Sequence, residues 1–190
     1  KASSVSAWTD GAPEDGGAEF EKCTYLNLGY LEAKDQVETA LYLGTLPYVD
    51  ASRIGIWGWS YGASSTLMSM SEGRPVFAAG VAVAPPTCWR YYDTVYTERF
   101  MRTPKENAAG YARGPISQAD KLHGKLLIFM ERTDTTLLSL NSRIKSNRQT
   151  ARRSTTRYSS SLAPGTETTP VKISATETNA HRSPIVSVSF

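Results

Sequence analysis

A serine set between glycines, Gly58-Trp59-Ser60-Tyr61-Gly62, constrains this chain more than anything else in its 190 residues. It stands directly behind the apolar run Ile54–Gly58 and directly ahead of Ala63–Met70. An apolar run that short, bounded by turn residues, predicts a buried strand, and the following stretch predicts a helix. Gly-x-Ser-x-Gly at a strand-to-helix turn is the pattern of a nucleophile elbow, which exposes the serine at the top of a sheet. Small residues are expected at both flanks, because a β-carbon on Gly58 or Gly62 would clash across so tight a turn. Ser60 is the candidate nucleophile. The backbone N–H of Tyr61, at the head of the helix, is the candidate donor to an oxyanion.

Around this motif two periodicities alternate. Ala33, Val37, Ala40, Leu41 and Gly44 recur at helical spacing, with Glu32, Lys34, Asp35 and Glu38 on other faces, until Pro47 stops the run. Asp50–Arg53 reads as a turn. Ala78–Ala84, closed by Pro85-Pro86, and Gly124–Phe129 are two further buried-strand candidates. A short helical stretch around Gln118–Leu122 precedes the second of them. Strands alternating with helices predict an α/β fold with a mainly parallel sheet and flanking helices.

Charge divides the chain. Residues 131–190 carry nine Lys or Arg against four acids, a net +5, while residues 1–130 carry twelve against fourteen, a net −2. Ser and Thr make up 22 of the last 60 residues, whose only aromatics are Tyr158 and Phe190. Such a segment buries too little apolar surface to offset its ordering entropy, so a mostly disordered basic tail is expected. Its spaced arginines can neutralise nucleic-acid phosphates, but a solvated tail without a partner is favoured over nucleic-acid binding. Hydrophobic residues are 40% of the whole, which excludes a wholly disordered chain. No apolar run is long enough for a membrane span, and no signal-peptide pattern opens the sequence. Cys23 and Cys88 are expected as free thiols, since two cysteines make no disulfide framework and nothing beside them has zinc-ligand spacing. No cofactor and no metal are expected, and no feature sets an oligomeric state.

Three further stretches accompany the elbow: Leu46-Pro47-Tyr48-Val49-Asp50, Val83-Ala84-Pro85 leading to Trp89, and Tyr91-Tyr92-Asp93-Thr94-Val95-Tyr96-Thr97-Glu98-Arg99-Phe100-Met101. With them, and with Arg53–Gly62, residues 18–130 resemble the catalytic domain of the dipeptidyl peptidase IV branch of the prolyl oligopeptidase family. The resemblance implies a partial α/β-hydrolase fold and a peptide substrate. It implies an acyl-enzyme on Ser60 and release of dipeptides after a penultimate Pro or Ala. It makes Tyr61 both an oxyanion donor and one wall of a proline-sized pocket, lined further by Pro86, Trp89, Tyr92 and Tyr96. Pro86 stands where the family usually has Val, and Ala63 where it commonly has a second Gly. The family's amine-capturing β-propeller domain has no counterpart in this chain. Its members are often periplasmic, secreted or membrane-anchored. Read without the resemblance, Tyr92 and Tyr96 lie four apart on one helix face near Trp89, as a flat-walled pocket or as plain core packing. Asp93, Glu98 and Arg99 are expected as a local ion-pair cluster, and His123 as a surface residue ahead of a strand.

The acid and the base of a triad should follow the third strand, in the chain order Ser…Asp…His. The family continues a strand like Lys125–Phe129 with His-Gly-Thr-x-Asp-Asp-Asn-Val, whereas this chain reads Met130-Glu131-Arg132-Thr133-Asp134-Thr135-Thr136-Leu137. In ungapped register Asp134 falls on the acid. His181 is the one histidine available downstream as base. Shifting the reading frame by two bases from Phe129-Met130 permits His, forces Gly and permits Thr. The same shift over Ala7–Gly17 permits the family's glycine-rich stretch, and over Pro164–Thr169 an Asn-His motif. The expected organisation is therefore a non-matching segment 1–17, a peptidase core 18–130 and a Ser/Thr/Arg-rich tail 131–190, with both ends translated out of frame. As written, the chain is expected to be impaired or inactive. Two other readings stand beside this one: another α/β-hydrolase, such as an esterase or acylaminoacyl peptidase, and a non-catalytic basic interaction protein.

Overall fold

A computed structural model of the chain describes residues 17–131, 154–159 and 186–188. Its centre is a parallel sheet of β1 (Ile54–Trp59), β2 (Ala79–Val83) and β3 (Lys125–Glu131), extended at its edges by β4 (Ser154–Ser159) and β5 (Val186–Val188). The order across the sheet is β4-β3-β2-β1-β5. Gly55 to Trp59 pair with Ala79 to Val83, and Ala79 to Val83 in turn with Lys125 to Phe129. Since every pairing is parallel, all five strands end at one edge, which we call the carboxyl edge. The helices are α1 (Gly17–Glu21), α2 (Tyr30–Gly44), α3 (Tyr61–Met70), α4 (Thr94–Met101), α5 (Ala108–Tyr111) and α6 (Pro115–Gln118).

The main core lies between the sheet and α2 and α3, where Val37, Ile54, Leu67, Met70, Leu126 and Ile128 are buried. Burying each such side chain contributes about 1.5–3 kcal/mol. Helix α3 is buried from Ala63 to Met70 although it carries Ser64, Ser65, Thr66 and Ser69. Two of these hydroxyls bond the preceding turn: Thr66 Oγ1 donates to Gly62 O at 2.9 Å and Ser69 Oγ to Ser65 O at 2.7 Å. Ser64 Oγ donates to Pro86 O, so three of the four hydroxyls are satisfied, and only Ser65 Oγ is buried without a hydrogen-bond partner among the described residues. Ahead of β1, the Asp50 carboxylate accepts from Ser52 N at 3.0 Å and Ser52 Oγ at 2.6 Å, closing the single 3-10 turn Ala51–Arg53.

The α/β reading holds, with each predicted strand in place to within a residue or two. The tail, expected as mostly disordered, contributes the nine residues of β4 and β5; ladder pairing is a backbone matter and needs little apolar surface. Three local expectations are corrected. The helix expected near Gln118–Leu122 begins earlier, at Pro115, and continues as a 3-10 turn over Ala119–Lys121. Asp93 does not join an ion-pair cluster: it caps α4, accepting from Tyr96 N at 2.8 Å, while the Arg99 guanidinium lies over the Phe100 ring. His123 is half-buried rather than superficial, its backbone N–H bonded to Met70 O at 3.1 Å. Cys23 is exposed and Cys88 half-buried, and both are free thiols. Among the described residues, no helix is long and apolar enough to cross a membrane, and no group of three or more His, Cys, Asp or Glu could hold a metal ion.

Candidate active site

Ser60 occupies the one-residue corner between β1 and α3, with φ 54° and ψ −118°. A positive φ on a non-glycine residue costs about 1–3 kcal/mol and persists only where the surroundings enforce it. Here the neighbouring strand enforces it: Ser60 N donates to Val83 O of β2 at 2.9 Å. On the other side, Ser60 O accepts from Ala63 N at 3.0 Å and Ser64 N at 3.1 Å, which starts the helix. The serine is left exposed at the carboxyl edge.

The two flanking glycines are not equivalent. A β-carbon on Gly58 would lie 2.2 Å from both the carbonyl carbon and oxygen of Gly62. Backbone cannot step aside from such a contact, so glycine is required there. A β-carbon on Gly62 would meet nothing within 4 Å, which corrects the expectation of a clash at both flanks. The crowding is one-sided because the Gly58 β-carbon would point across the turn, whereas that of Gly62 would point out of it.

Tyr61 opens α3, and the first amides of a helix have no intrahelical acceptor, so they face the space ahead of it. Its ring leaves the elbow toward Trp89, with centroids 5.9 Å apart and planes tilted by 36°. Trp89 stacks at 6.1 Å on Tyr96 and meets Tyr92 edge-on at 5.9 Å; Tyr92 and Tyr96 meet edge-on at 5.5 Å. Such offset and edge-to-face contacts are what ring quadrupoles favour. Tyr61, Trp89, Tyr92 and Tyr96 are thus brought together beside Ser60. The route differs from the expected one. Tyr92 precedes α4, because the Asp93 cap turns the chain before the helix starts, so Tyr92 and Tyr96 meet across a corner rather than along a helix face.

The aromatic group has a rigid back and an open front. Trp89 is 4% exposed and packs on Leu28, Met101 and Tyr111, while Tyr92 is 40% exposed. Asn107 braces the back, donating to Leu26 O at 2.8 Å and Met101 O at 3.0 Å and accepting from Gly110 N at 3.1 Å. The Tyr111 hydroxyl adds a bond to Arg102 O at 2.7 Å. Pro86, on the loop leaving β2, is tied to α3 by the Ser64 hydroxyl, which donates to its carbonyl. Burial, and then the neighbouring Tyr92 and Glu32, push the Tyr96 phenol above its ordinary range, so it stays neutral.

One contact at this site was not foreseen. Glu32, placed by periodicity on an outer face of α2, is 2% exposed and accepts a hydrogen bond from the Tyr61 hydroxyl at 2.5 Å. Periodicity assigns a glutamate outward by default, and no local pattern marks one that turns inward.

Asp134 and His181 lie outside the described residues. The histidine that is described, His123, precedes the start of β3 and so sits at the amino edge of the sheet, a strand's length from Ser60. It cannot serve Ser60 as base. What the described residues assemble is an exposed, strained serine at a helix head beside a half-open aromatic wall. That arrangement suits attack on an acyl carbon carrying a compact apolar group.

The sequence model of the prolyl oligopeptidase family matches residues 8–143. A protein of Ajellomyces dermatitidis named "probable dipeptidyl-aminopeptidase B" is 54% identical over 97 residues, which is 50% of this chain and 11% of that protein. One of the same name from Arthroderma otae is 50% identical over 107 residues, 56% of this chain and 12% of that protein. The crystal structure of Porphyromonas gingivalis dipeptidyl peptidase 4 superposes with a TM-score of 0.69 and 47% identity, over 75% of this chain and 21% of that one. The chain thus spans about a tenth of the length of the curated relatives it matches.

Proposed function

Because the chain belongs to the prolyl oligopeptidase family, we propose that it is a fragment of a serine peptidase of the dipeptidyl peptidase kind. In this reading Ser60 Oγ attacks the acyl carbon, the Tyr61 N–H steadies the oxyanion, and Tyr61, Pro86, Trp89, Tyr92 and Tyr96 hold a proline or alanine ring or methyl group. A new Oγ–C ester bond forms as the C–N bond breaks. The Oγ proton has to reach the departing amine, and water later hydrolyses the ester. The observation that carries the reading is the strained Ser60 corner beside the aromatic wall. Asp134 and His181 are the residues the sequence offers for acid and base.

The same reading makes the chain as written impaired. Proton transfer from Oγ needs a base within hydrogen-bond reach, and His123 stands at the wrong edge. Segments 1–17 and 131–190 are read as out-of-frame translation around the core 18–130, from a decayed gene or an error in the determined sequence. Resequencing decides that point: an unbroken, well-supported frame through codons 17 and 130 contradicts it.

An activated acyl donor tests the function without demanding a base for the leaving group. Incubation with the 4-nitrophenyl ester of N-acetylproline, followed by intact-mass and peptide mapping, should give one slowly hydrolysed acyl adduct on Ser60 and none in Ser60→Ala. Absence of a Ser60 adduct contradicts the proposal. A strong preference for straight-chain acyl esters over the prolyl ester favours an esterase instead.

A further inference from the structure

Glu32 sits in the first turn of α2, and its carboxylate is almost wholly withdrawn from water. One of its oxygens accepts the Tyr61 hydroxyl at 2.5 Å. The other, Oε2, is buried and has no hydrogen-bond partner among the described residues. A half-satisfied buried carboxylate is expensive, and replacing such a group with a neutral one of similar shape is often neutral or stabilising. Its position at the positive end of α2 offsets part of the cost, because Gly29, the capping residue, offers no side chain to the helix. Stability alone does not account for a glutamate here.

What the carboxylate does is fix a ring. Tyr61 immediately follows Ser60, is only half-buried, and would otherwise choose among rotamers at the mouth of the site. Anchored at its hydroxyl, the ring is held 5.9 Å from Trp89, which is itself locked in the second core cluster. A charge-assisted bond is roughly twice as strong as one between neutral groups, which suits a tether on an exposed rim. The tether also joins α2 to α3 across 29 residues of sequence, directly behind the elbow. We infer that Glu32 is a positioning residue for acyl-group selection: through the Tyr61 hydroxyl it holds the pocket wall in the geometry that accepts a pyrrolidine ring. This rests on the pocket reading given under Proposed function, and it adds a residue on a different helix that touches neither substrate nor nucleophile.

The test is a double-mutant cycle on the full chain, read as the dissociation constant of N-acetylprolinamide from the change in tryptophan fluorescence, with the melting temperature recorded for each variant. Glu32→Met, which keeps the length of the side chain and removes the acceptor oxygens, should weaken binding about fivefold while leaving the melting temperature unchanged or higher. Tyr61→Phe, which keeps the ring and loses the hydroxyl, should weaken it to a similar degree. The double variant should bind no more weakly than the worse single variant, since both changes cut one tether. Effects that multiply in the double variant, wild-type affinity in Glu32→Met, or a loss of affinity that merely tracks a lower melting temperature would each overturn the inference. Tyr92→Ala separates this from the parent reading. Binding by the wild type that Tyr92→Ala abolishes upholds the pocket whatever Glu32 does. No binding by the wild type overturns both.

Discussion

The carboxyl edge of the sheet has two ends that differ in kind. Where β1 and β2 finish, four groups beside Ser60 are tied in place: the corner by Val83 O, Pro86 by Ser64, Trp89 by a buried cluster, Tyr61 by Glu32. Where β3 finishes, at Glu131, the described residues supply no base for Ser60. In the proposed reading, one end presents a nucleophile and an acyl pocket. The other has to supply the proton relay, and proton relays need a histidine at a fixed distance rather than a surface of roughly the right shape. If the proposed reading holds, the contrast teaches that binding geometry and turnover are separable, because different strands build them.

The sharpest way to break the ordered half is to remove its anchor. Trp89→Ala should cost about 3–5 kcal/mol in urea unfolding, because it empties a buried site on which Leu28, Met101 and Tyr111 close. A loss under 1 kcal/mol would mean that the aromatic wall is a surface stripe. The elbow comes next. Gly58→Ala should cost about 3 kcal/mol, since its β-carbon meets backbone at 2.2 Å, whereas Gly62→Ala, facing open space, should change stability by no more than about 1 kcal/mol in either direction. Equal effects at the two glycines would contradict the one-sided corner.

The smallest effect lies away from the site and calibrates the comparison. At the far end of α3, Arg74 bonds both oxygens of Glu72 at 2.9 Å and holds its carboxyl below the ordinary range. The folded state therefore prefers the ionised form. That contribution is complete above the unfolded value, and it fades as the pH falls below about 4.5 and through the lowered folded value. Glu72→Gln should flatten the acid limb of a stability-against-pH profile slightly. An unchanged limb would show that the pair is fully screened by solvent.

How far the sequence could be read follows the same division. The strands, the elbow and the grouping of Trp89, Tyr92 and Tyr96 were legible because apolar runs, a glycine-flanked serine and aromatic spacing are local signals. Tyr92 was misplaced by a turn of helix because Asp93 reads equally well as a surface charge or a cap, and only the structure shows it accepting from Tyr96 N. Gly62 looked as constrained as Gly58 because sequence carries no direction for a missing β-carbon. Glu32 was invisible for a deeper reason: its partner lies 29 residues away on another helix, and inward-facing glutamates leave no periodic trace. In the tail, composition could not anticipate backbone pairing by Ser154–Ser159 and Val186–Val188.

The central proposal is that this chain holds a nucleophile and an acyl pocket, with no base for Ser60 among the described residues. Steady-state hydrolysis of Gly-Pro-4-nitroanilide by the purified chain, with Ser60→Ala in parallel, tests it most directly, because an anilide leaving group demands the proton that an activated ester does not. The account predicts release indistinguishable between the two proteins, several orders of magnitude below a complete triad. Rapid release that Ser60→Ala abolishes would contradict it.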